Sequence, residues 1–436
     1  MAITRRATVA GALAVPFVAA VPSLAPAAPR TAGSVAAQRD WVLAATRNAP
    51  LPEGAIAAHV DAAYLRAIGG AAAFNAALKQ VGALTAGTVI KQTDTSIEQV
   101  TYGSRGNRLL GLTVTDAGLI GSVQFAAYPD APRSWAELDR RARALAPDVS
   151  FAATRFTGGH PTLRYGIAPH RPHPLGSAFK LYVLGALADA VATGAAGWQE
   201  RLAIRDDWKS LPSGVLQTRP AGTRLSLTEY ARYMISISDN TAADHLIHRL
   251  GRPRVETSLV RLGNADPHAS LPFLTTRELF ALKGYDYPTG ATRYRRATVS
   301  ARRARLAELD RVDLDRISAW KAPRQLDAIE WYGSPLDMAR ALGGLWHRYR
   351  RAGMAPIGAV MSVNDGGIGL DPARYPTVWF KGGSEPGVLT LTYLSRTADG
   401  ALVCASLLLT DRTAALDEAT LAPEALAILR GALQLA

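Results

Sequence analysis

The sequence predicts a mixed α/β fold of the α+β type that is divided into two units, and three observations lead to this expectation. First, a chain of 436 residues is too long to fold around one ordinary hydrophobic core, so two domains are expected. Second, a helical pattern is followed by a run of strand patterns within residues 36–128. Third, strand-like segments near residues 149–169 and 377–410 enclose a mostly helical stretch. One sheet should therefore combine distant parts of the chain and carry helices on its faces.

The chain begins with a segment that is typical of an export signal, residues 1–27. A cationic start with Arg5 and Arg6 precedes a small-residue apolar stretch and an A-x-A cleavage pattern at residues 25–27. Two prolines interrupt the apolar stretch, which argues against a membrane span. The arginine pair is compatible with the twin-arginine route as well as the general secretory route. We expect an exported protein, periplasmic or secreted, without a membrane span.

Residues 28–131 are expected to form a small α+β domain. Apolar residues at helical spacing run from Ala36 to about Gly82, and strand patterns separated by polar breaks run from Thr88 to Tyr128. The stretch "YPDAPRS" then marks a linker. The sequence of this unit contains no catalytic constellation, so its expected role is to pack against or orient the second domain.

Residues 132–436 are expected to form the second domain. It opens with a helix at 134–147, two strands and a helix that contains "GSAFKLYVLGALADAV". A mostly helical stretch continues to about Leu345. Three strand patterns and a final helix close the chain.

Charge and composition narrow the possible partners. The net charge is +13, which suits an anionic partner such as a small carboxylate substrate. The densest basic stretch, residues 293–309, is expected to be a solvated helix face, and no nucleic-acid-binding motif occurs. Cys404 is the only cysteine, which excludes an internal disulfide, and its strand pattern predicts a buried packing residue. Nothing in the sequence calls for a metal or another cofactor.

Ser177 and Lys180 are the first candidate catalytic residues. They lie three positions apart at the start of an apolar helix, so they share one face. The helix N-terminus favours developing negative charge there. A lysine in a partly desolvated place has a lowered pKa and can act as a base. The alternative is a helix-capping serine beside a lysine that extends to solvent.

A second candidate element is Ser238-Asp239-Asn240, which leads into an amphipathic helix. Ser238 offers a hydroxyl that can relay a proton, and Asn240 offers an amide that can hold a substrate carbonyl. Asp239 is expected to brace the turn rather than to take part in chemistry. The alternative is an ordinary N-terminal cap of the following helix.

The third element is Lys381-Gly382-Gly383-Ser384, at the end of an apolar strand. The two glycines would allow close approach to a ligand. The backbone N–H of Ser384 could face that of Ser177, and two such donors form an oxyanion hole. The alternative is a glycine bulge in an edge strand.

In this order, S-x-x-K, S-D-N and K-G-G, the chain from about residue 132 to its end resembles the class A β-lactamase and DD-peptidase superfamily of serine hydrolases. The resemblance implies an antiparallel sheet flanked by helices, as in the β-lactamase/transpeptidase fold. It also implies Ser177 as nucleophile, Lys180 as its base, Ser238 as proton relay and Lys381 as electrostatic support. Substrate binding is implied for Asn240, Gly383 and Ser384.

The two-domain layout resembles the cephalosporin-esterase-like group of the clavulanic acid pathway. That resemblance implies a front domain with a steroid-isomerase-like, or nuclear-transport-factor-like, fold.

Two departures from the family pattern affect the expected turnover. Class A β-lactamases carry a glutamate that activates the deacylating water, with an asparagine four residues later, between the second and third motifs. None of Glu256, Glu278, Glu308 and Glu330 has this asparagine. Glu278 could substitute for the missing glutamate, but it is expected to be an ordinary surface helix residue. The hydroxyl that usually follows the third-motif lysine is replaced by Gly382, although Ser384 could substitute in part. We therefore expect acylation without fast β-lactam turnover.

The expected function is that of an exported serine hydrolase that is acylated at Ser177 by a β-lactam or a related ester or amide. A DD-carboxypeptidase and a degenerate scaffold that binds β-lactams or peptides remain alternatives. His245 and His248 are expected on a helix surface rather than in a metal site. The expected partner is an anionic small molecule, and the sequence leaves the oligomeric state open.

Overall fold

A computed structural model describes residues 33–436 of the chain. The export-signal prediction for residues 1–27 lies outside these residues. Within the described part, two larger antiparallel sheets organise the chain, one of four strands and one of five. In residues 33–436, no helix combines the length and the apolar character needed to cross a bilayer.

The front unit packs four helices against the four-stranded sheet. The strands follow one another in sequence order, and every neighbouring pair is antiparallel. In the fourth helix Phe74, Leu78 and Val81 share one buried face, because residues three and four apart lie together on a helix. The elements are α1 Val35–Asn48, α2 Glu53–Ala57, α3 Ala62–Ile68, α4 Gly70–Val81, β1 Leu84–Gln92, β2 Ser96–Gly103, β3 Arg108–Val114 and β4 Ile120–Ala127.

The second unit is built on the five-stranded sheet. Its strand order is β11-β12-β13-β5-β6, so strands from the end of the chain pair with strands from the start of the unit. This confirms that one sheet combines distant segments. The strands are β5 Asp148–Thr157, β6 His160–Ile167, β7 His173–Pro174, β8 Arg201–Ala203, β9 Arg224–Ser226, β10 Tyr332–Gly333, β11 Thr377–Glu385, β12 Val388–Arg396 and β13 Leu402–Thr410.

Helices cover both faces of this sheet. Two of them, α5 and α15, share a hydrophobic cluster with one face, and the larger helical cluster lies on the other. The helical stretch extends past Leu345, the predicted limit, to Met361. The helices are α5 Trp135–Arg143, α6 Lys180–Ala192, α7 Leu227–Ser236, α8 Asn240–Leu250, α9 Arg252–Arg261, α10 Thr276–Gly284, α11 Thr289–Arg296, α12 Val299–Leu309, α13 Pro335–Tyr349, α14 Ala355–Met361 and α15 Glu418–Leu435.

The observed architecture is the predicted α+β fold, an antiparallel sheet flanked by helices. Cys404 lies buried on the central strand β13, and burial raises the pKa of its thiol to about 12. This agrees with a packing role. Basic residues of α11 and α12 such as Arg293, Arg295 and Arg296 are exposed, as expected for a solvated face.

The linker between the units is fixed by a buried arginine of α15. Arg430 stacks its guanidinium 3.7 Å from the ring centroid of Tyr128 and donates a hydrogen bond to the Pro129 carbonyl at 2.6 Å. Tyr128 in turn donates to the Gly369 carbonyl at 2.8 Å. These contacts attach the end of the front unit to the loop that precedes β11.

Candidate active site

Ser177 lies in a short 3-10 turn, Gly176–Phe179, directly before α6. Gly176 has a φ of +47°, a conformation that glycine adopts most easily. A Cβ at this position would lie 2.8 Å from the backbone nitrogen of Ser384. The glycine therefore lets the turn rest against β11 and brings half-buried Ser177 to a cleft.

Lys180 starts α6 and is completely buried. Its Nζ lies 3.1 Å from Ser177 Oγ and 3.2 Å from Ser238 Oγ. It donates hydrogen bonds to the Ser238 carbonyl at 2.5 Å and to Asn240 Oδ1 at 2.7 Å. Desolvation lowers the pKa of Lys180 to about 7, against smaller opposing effects of nearby aspartates.

These contacts describe an amine that can be neutral near pH 7. A neutral amine has two N–H donors, which match the Ser238 carbonyl and Asn240 Oδ1. Its lone pair then remains for the hydroxyl of Ser177. The geometry is that of a nucleophile beside its base.

Ser238 lies between two lysines. Its Oγ is 3.2 Å from Lys180 Nζ and 3.1 Å from Lys381 Nζ. Its φ of +56° is uncommon for a residue other than glycine. Ser213, which the sequence did not single out, donates to the Ser238 carbonyl at 2.7 Å. The turn is therefore held in a strained conformation that aims the hydroxyl at both amines.

Lys381 lies in the middle of β11, not at the strand's end as predicted. Burial lowers the pKa of Lys381 well below its ordinary value, and the nearby charge of Lys180 lowers it further. The β11–β12 register is continuous from Thr377 to Glu385, so the glycines form no bulge. The structure thus joins Ser177, Lys180, Ser238 and Lys381 in one cluster.

Gly383 approaches the chain's own backbone. A Cβ here would lie 2.2 Å from the Leu175 carbonyl oxygen and 2.5 Å from the Ser177 nitrogen. The expected close approach at this glycine is therefore to the nucleophile turn, which brings the Ser177 N–H near the β11 backbone.

Ser384 contributes its backbone and its hydroxyl to different surroundings. Its nitrogen lies beside the turn at Gly176. Its hydroxyl is associated with Glu418: burial raises the pKa of that carboxyl, and a hydrogen bond from Ser384 offsets part of the rise. Because side chains alternate along a strand, residue 384 lies on the same side of β11 as residue 382 and opposite to Lys381. The expectation that this hydroxyl replaces the missing one after Lys381 stays a prediction.

Asp239 braces the turn, as predicted. Its Oδ2 accepts hydrogen bonds from the backbone of Val215 at 2.6 Å and Leu216 at 2.9 Å, and its Oδ1 caps α8 through Ala242 at 2.8 Å. Asn240 donates from Nδ2 to the Leu211 carbonyl at 3.0 Å. These bonds fix the 211–216 loop, which forms one wall of the cleft.

Glu278 is completely buried, so the expectation of a surface helix residue was wrong. It forms a capping box with Thr275 at the start of α10, and its carboxylate pairs with Arg252 at 2.5 Å. The ion pair explains its burial, since a buried carboxylate needs a charged partner. Both oxygens are engaged by these partners.

His245 is likewise buried, contrary to the predicted helix-surface position, whereas His248 is half-buried. The Nδ1 of His245 donates to the Thr241 carbonyl at 2.7 Å, and its Nε2 accepts from the Arg205 backbone at 2.9 Å. Burial lowers the pKa of His245 to about 4, so the ring is neutral and structural. Within residues 33–436, no group of three or more metal-ligating side chains occurs.

The sequence missed a group of charged residues that extends into the cleft. Glu330 and Glu385 line it, and both pair with buried Lys283. Aromatic side chains form much of the remaining wall: Phe179, Phe280, Trp320 and Trp331. None of these belongs to a recognisable motif, so no local signal could have identified them.

Comparison with known proteins points to one family. A model of the β-lactamase enzyme family matches residues 136–350, which include the first two motifs and end before Lys381. No curated protein matches the chain.

Several solved structures are similar to this chain. A β-lactamase from Sphaerobacter thermophilus has 20% sequence identity, with 69% of this chain and 97% of that chain covered and a TM-score of 0.47. A β-lactamase from Chitinophaga pinensis has 18% identity, with 69% and 96% covered and a TM-score of 0.46. PBP-A has 15% identity, with 71% and 99% covered and a TM-score of 0.46. Residues 136–350, which carry the serine, the lysine and the Ser-Asp-Asn turn, are thus the part of the chain that matches the β-lactamase enzyme family.

Proposed function

We propose that the protein is a serine hydrolase that forms an acyl-enzyme through Ser177 with a β-lactam or a related ester or amide. The single observation that carries this proposal is the position of Lys180, whose buried Nζ lies 3.1 Å from Ser177 Oγ. A buried amine with a lowered pKa can take the serine proton near neutral pH.

In the proposed acylation, Ser177 Oγ attacks the substrate carbonyl carbon while its proton passes to neutral Lys180. The backbone N–H groups of Ser177 and Ser384 would stabilise the oxyanion. When the tetrahedral intermediate collapses, the bond from carbon to the leaving nitrogen or oxygen breaks. Ser238, between Lys180 and Lys381, would pass a proton to that leaving atom.

We further propose that deacylation is slow. The water-activating glutamate of class A enzymes has no counterpart with a following asparagine, and Glu278 is held by Arg252 and Thr275. With this carboxylate engaged, an acyl group on Ser177 should persist. This supports a penicillin-binding or esterase-like role over fast β-lactam destruction.

The experiment is acylation of the pure protein by a fluorescent penicillin, followed by intact-mass and peptide mass spectrometry. We expect one covalent adduct on Ser177 that is lost in Ser177→Ala. The same samples, tested for hydrolysis of nitrocefin and of an acetylated cephalosporin, would distinguish an esterase from a non-hydrolysing scaffold. A protein with no adduct in any condition would contradict the proposal.

We also propose that residues 1–27 direct export of the protein. We further propose that the rest of the chain divides into two domains, residues 28–131 and 132–436. The first would have a steroid-isomerase-like fold and would orient the second. The separate hydrophobic cluster of the front unit supports the division. Fractionation of cells that express the full chain, compared with a variant that carries Arg5→Lys and Arg6→Lys, tests the export route.

A further inference from the structure

The cleft contains two buried carboxylates that the proposed acylation does not use. Lys283 Nζ lies 2.8 Å from Glu330 Oε1 and 2.6 Å from Glu385 Oε1. The lysine side chain is 0% exposed, and the two glutamate side chains are 1% and 10% exposed. The group joins three elements: α10, the segment before β10 and strand β11.

The charges of this group balance only when one of the two carboxyls is protonated. One lysine faces two carboxylates, and Oε2 of Glu385 is buried without a hydrogen-bond partner among residues 33–436. Burial, repulsion by Glu330 and a hydrogen bond with Glu330 raise the pKa of Glu385 well above its ordinary value, although Lys283 acts in the opposite direction. Without a ligand this carboxyl is therefore held in its protonated form, and a protonated amine could take the place of that proton. A buried carboxylate oxygen of this kind is stabilised by one more donor, above all a positively charged one.

The wall around Glu385 is aromatic. Phe179 stacks on Trp331 with ring centroids 3.7 Å apart, and Phe280 lies 5.7 Å from Trp320. The indole Nε1 of Trp320 is also buried without a partner in the described part of the chain. The walls of the cleft thus combine flat apolar surfaces with a buried carboxyl oxygen of Glu385 and a buried indole N–H of Trp320 that have no partner in the described part of the chain.

We propose that this part of the cleft is a subsite for an aromatic acyl substituent that carries a protonated amine, which donates to Glu385. Trp320 Nε1 would donate to a carbonyl of the same substituent. The inference rests on the proposed function, because the substituent belongs to the group that is transferred to Ser177. It adds a substrate class to that function: acyl donors with a cationic side chain.

Ampicillin and benzylpenicillin test this proposal, since they differ only by the protonated amine on the side chain. We expect the second-order rate constant of acylation to be about tenfold or more higher for ampicillin. Glu385→Gln, which keeps the shape and an acceptor for Lys283, should bring the ratio close to one, and Glu330→Gln should lower it as well. Glu200→Gln removes a paired glutamate outside the cleft and should leave the ratio unchanged.

A binding measurement separates this inference from the proposed function. In Ser177→Ala, benzylamine should raise the melting temperature more than benzyl alcohol does, and the difference should disappear when Glu385→Gln is added. Equal acylation by the two penicillins in the wild type, or equal shifts by amine and alcohol, would overturn the subsite. If neither penicillin acylates Ser177 but benzylamine still stabilises Ser177→Ala, the subsite stands and the proposed function fails.

Discussion

Lys180 and Lys283 are both completely buried, yet their surroundings differ in kind. Lys180 faces two hydroxyls, a carbonyl and an amide oxygen, all of them uncharged. Lys283 faces two carboxylates. Desolvation lowers the pKa of Lys180 to about 7. Desolvation is also the largest single effect at Lys283, but there Glu330 and Glu385 together outweigh it and raise the pKa.

The comparison shows that burial alone does not determine what a lysine does. Without a carboxylate in contact, the amine of Lys180 can lose its proton near neutral pH and act as a base. With two carboxylates, the amine of Lys283 stays charged and connects three elements of the fold. Removing each lysine should therefore damage a different property of the protein.

The largest effect is expected for Lys180→Met. Loss of the base should lower the acylation rate by about 10²- to 10⁴-fold, measured with a fluorescent penicillin. The free energy of unfolding should not decrease, because the folded chain no longer has to bury a group that is charged when unfolded. A variant that retains the wild-type acylation rate would exclude Lys180 as the base.

Lys283→Met should have the opposite profile. It leaves two buried carboxylates without their cation, and we expect a loss of about 3–5 kcal/mol in the free energy of unfolding, measured by urea denaturation. Addition of Glu330→Gln and Glu385→Gln should restore much of this stability, because no unpaired charge remains. Unchanged stability in Lys283→Met would show that the cluster carries no net ionic stabilisation.

A substitution at Asn240 can give Lys180 a carboxylate neighbour, as Lys283 has. In the wild type, the neutral fraction of Lys180 falls as the pH drops below about 7, so acylation should increase about tenfold from pH 6 to pH 8 and then level off. Asn240→Asp places a carboxylate at the atom that now contacts Lys180 at 2.7 Å. The charged amine is then favoured, and the midpoint of the profile should rise by about 1–3 pH units.

The measurement is the acylation rate between pH 5 and pH 10 for both proteins. A lower rate with an unchanged midpoint would mean that Asn240 acts only by holding substrate. A wild-type rate that keeps rising up to pH 10 would show that the pKa of Lys180 is not lowered.

The same contrast explains what the sequence could predict. Ser177 and Lys180 share one helix turn, and their spacing is a local signal that the fold preserves. In the Lys283 cluster, Glu330 and Glu385 lie 47 and 102 positions after the lysine in the sequence. Each of the three residues has an ordinary helix, loop or strand context, so only the tertiary structure reveals the cluster. Glu278 was misjudged for a similar reason, since its burial depends on Arg252, which is distant in sequence.

The smallest effect is expected for Ser384→Ala, which removes a hydroxyl group from the lining of the cleft. The hydroxyl of Ser384 is associated with Glu418, and its backbone nitrogen lies beside the nucleophile turn. Removing the hydroxyl keeps the backbone N–H donor, so the acylation rate should change by less than about twofold. If the hydroxyl instead donated a hydrogen bond to a charged group of the substrate, its loss should lower the rate by about tenfold or more. Ser395→Ala, another serine of the same sheet, serves as the matched control. A tenfold loss confined to Ser384→Ala would mean that the hydroxyl turns toward the substrate carboxylate and replaces the one that Gly382 lacks.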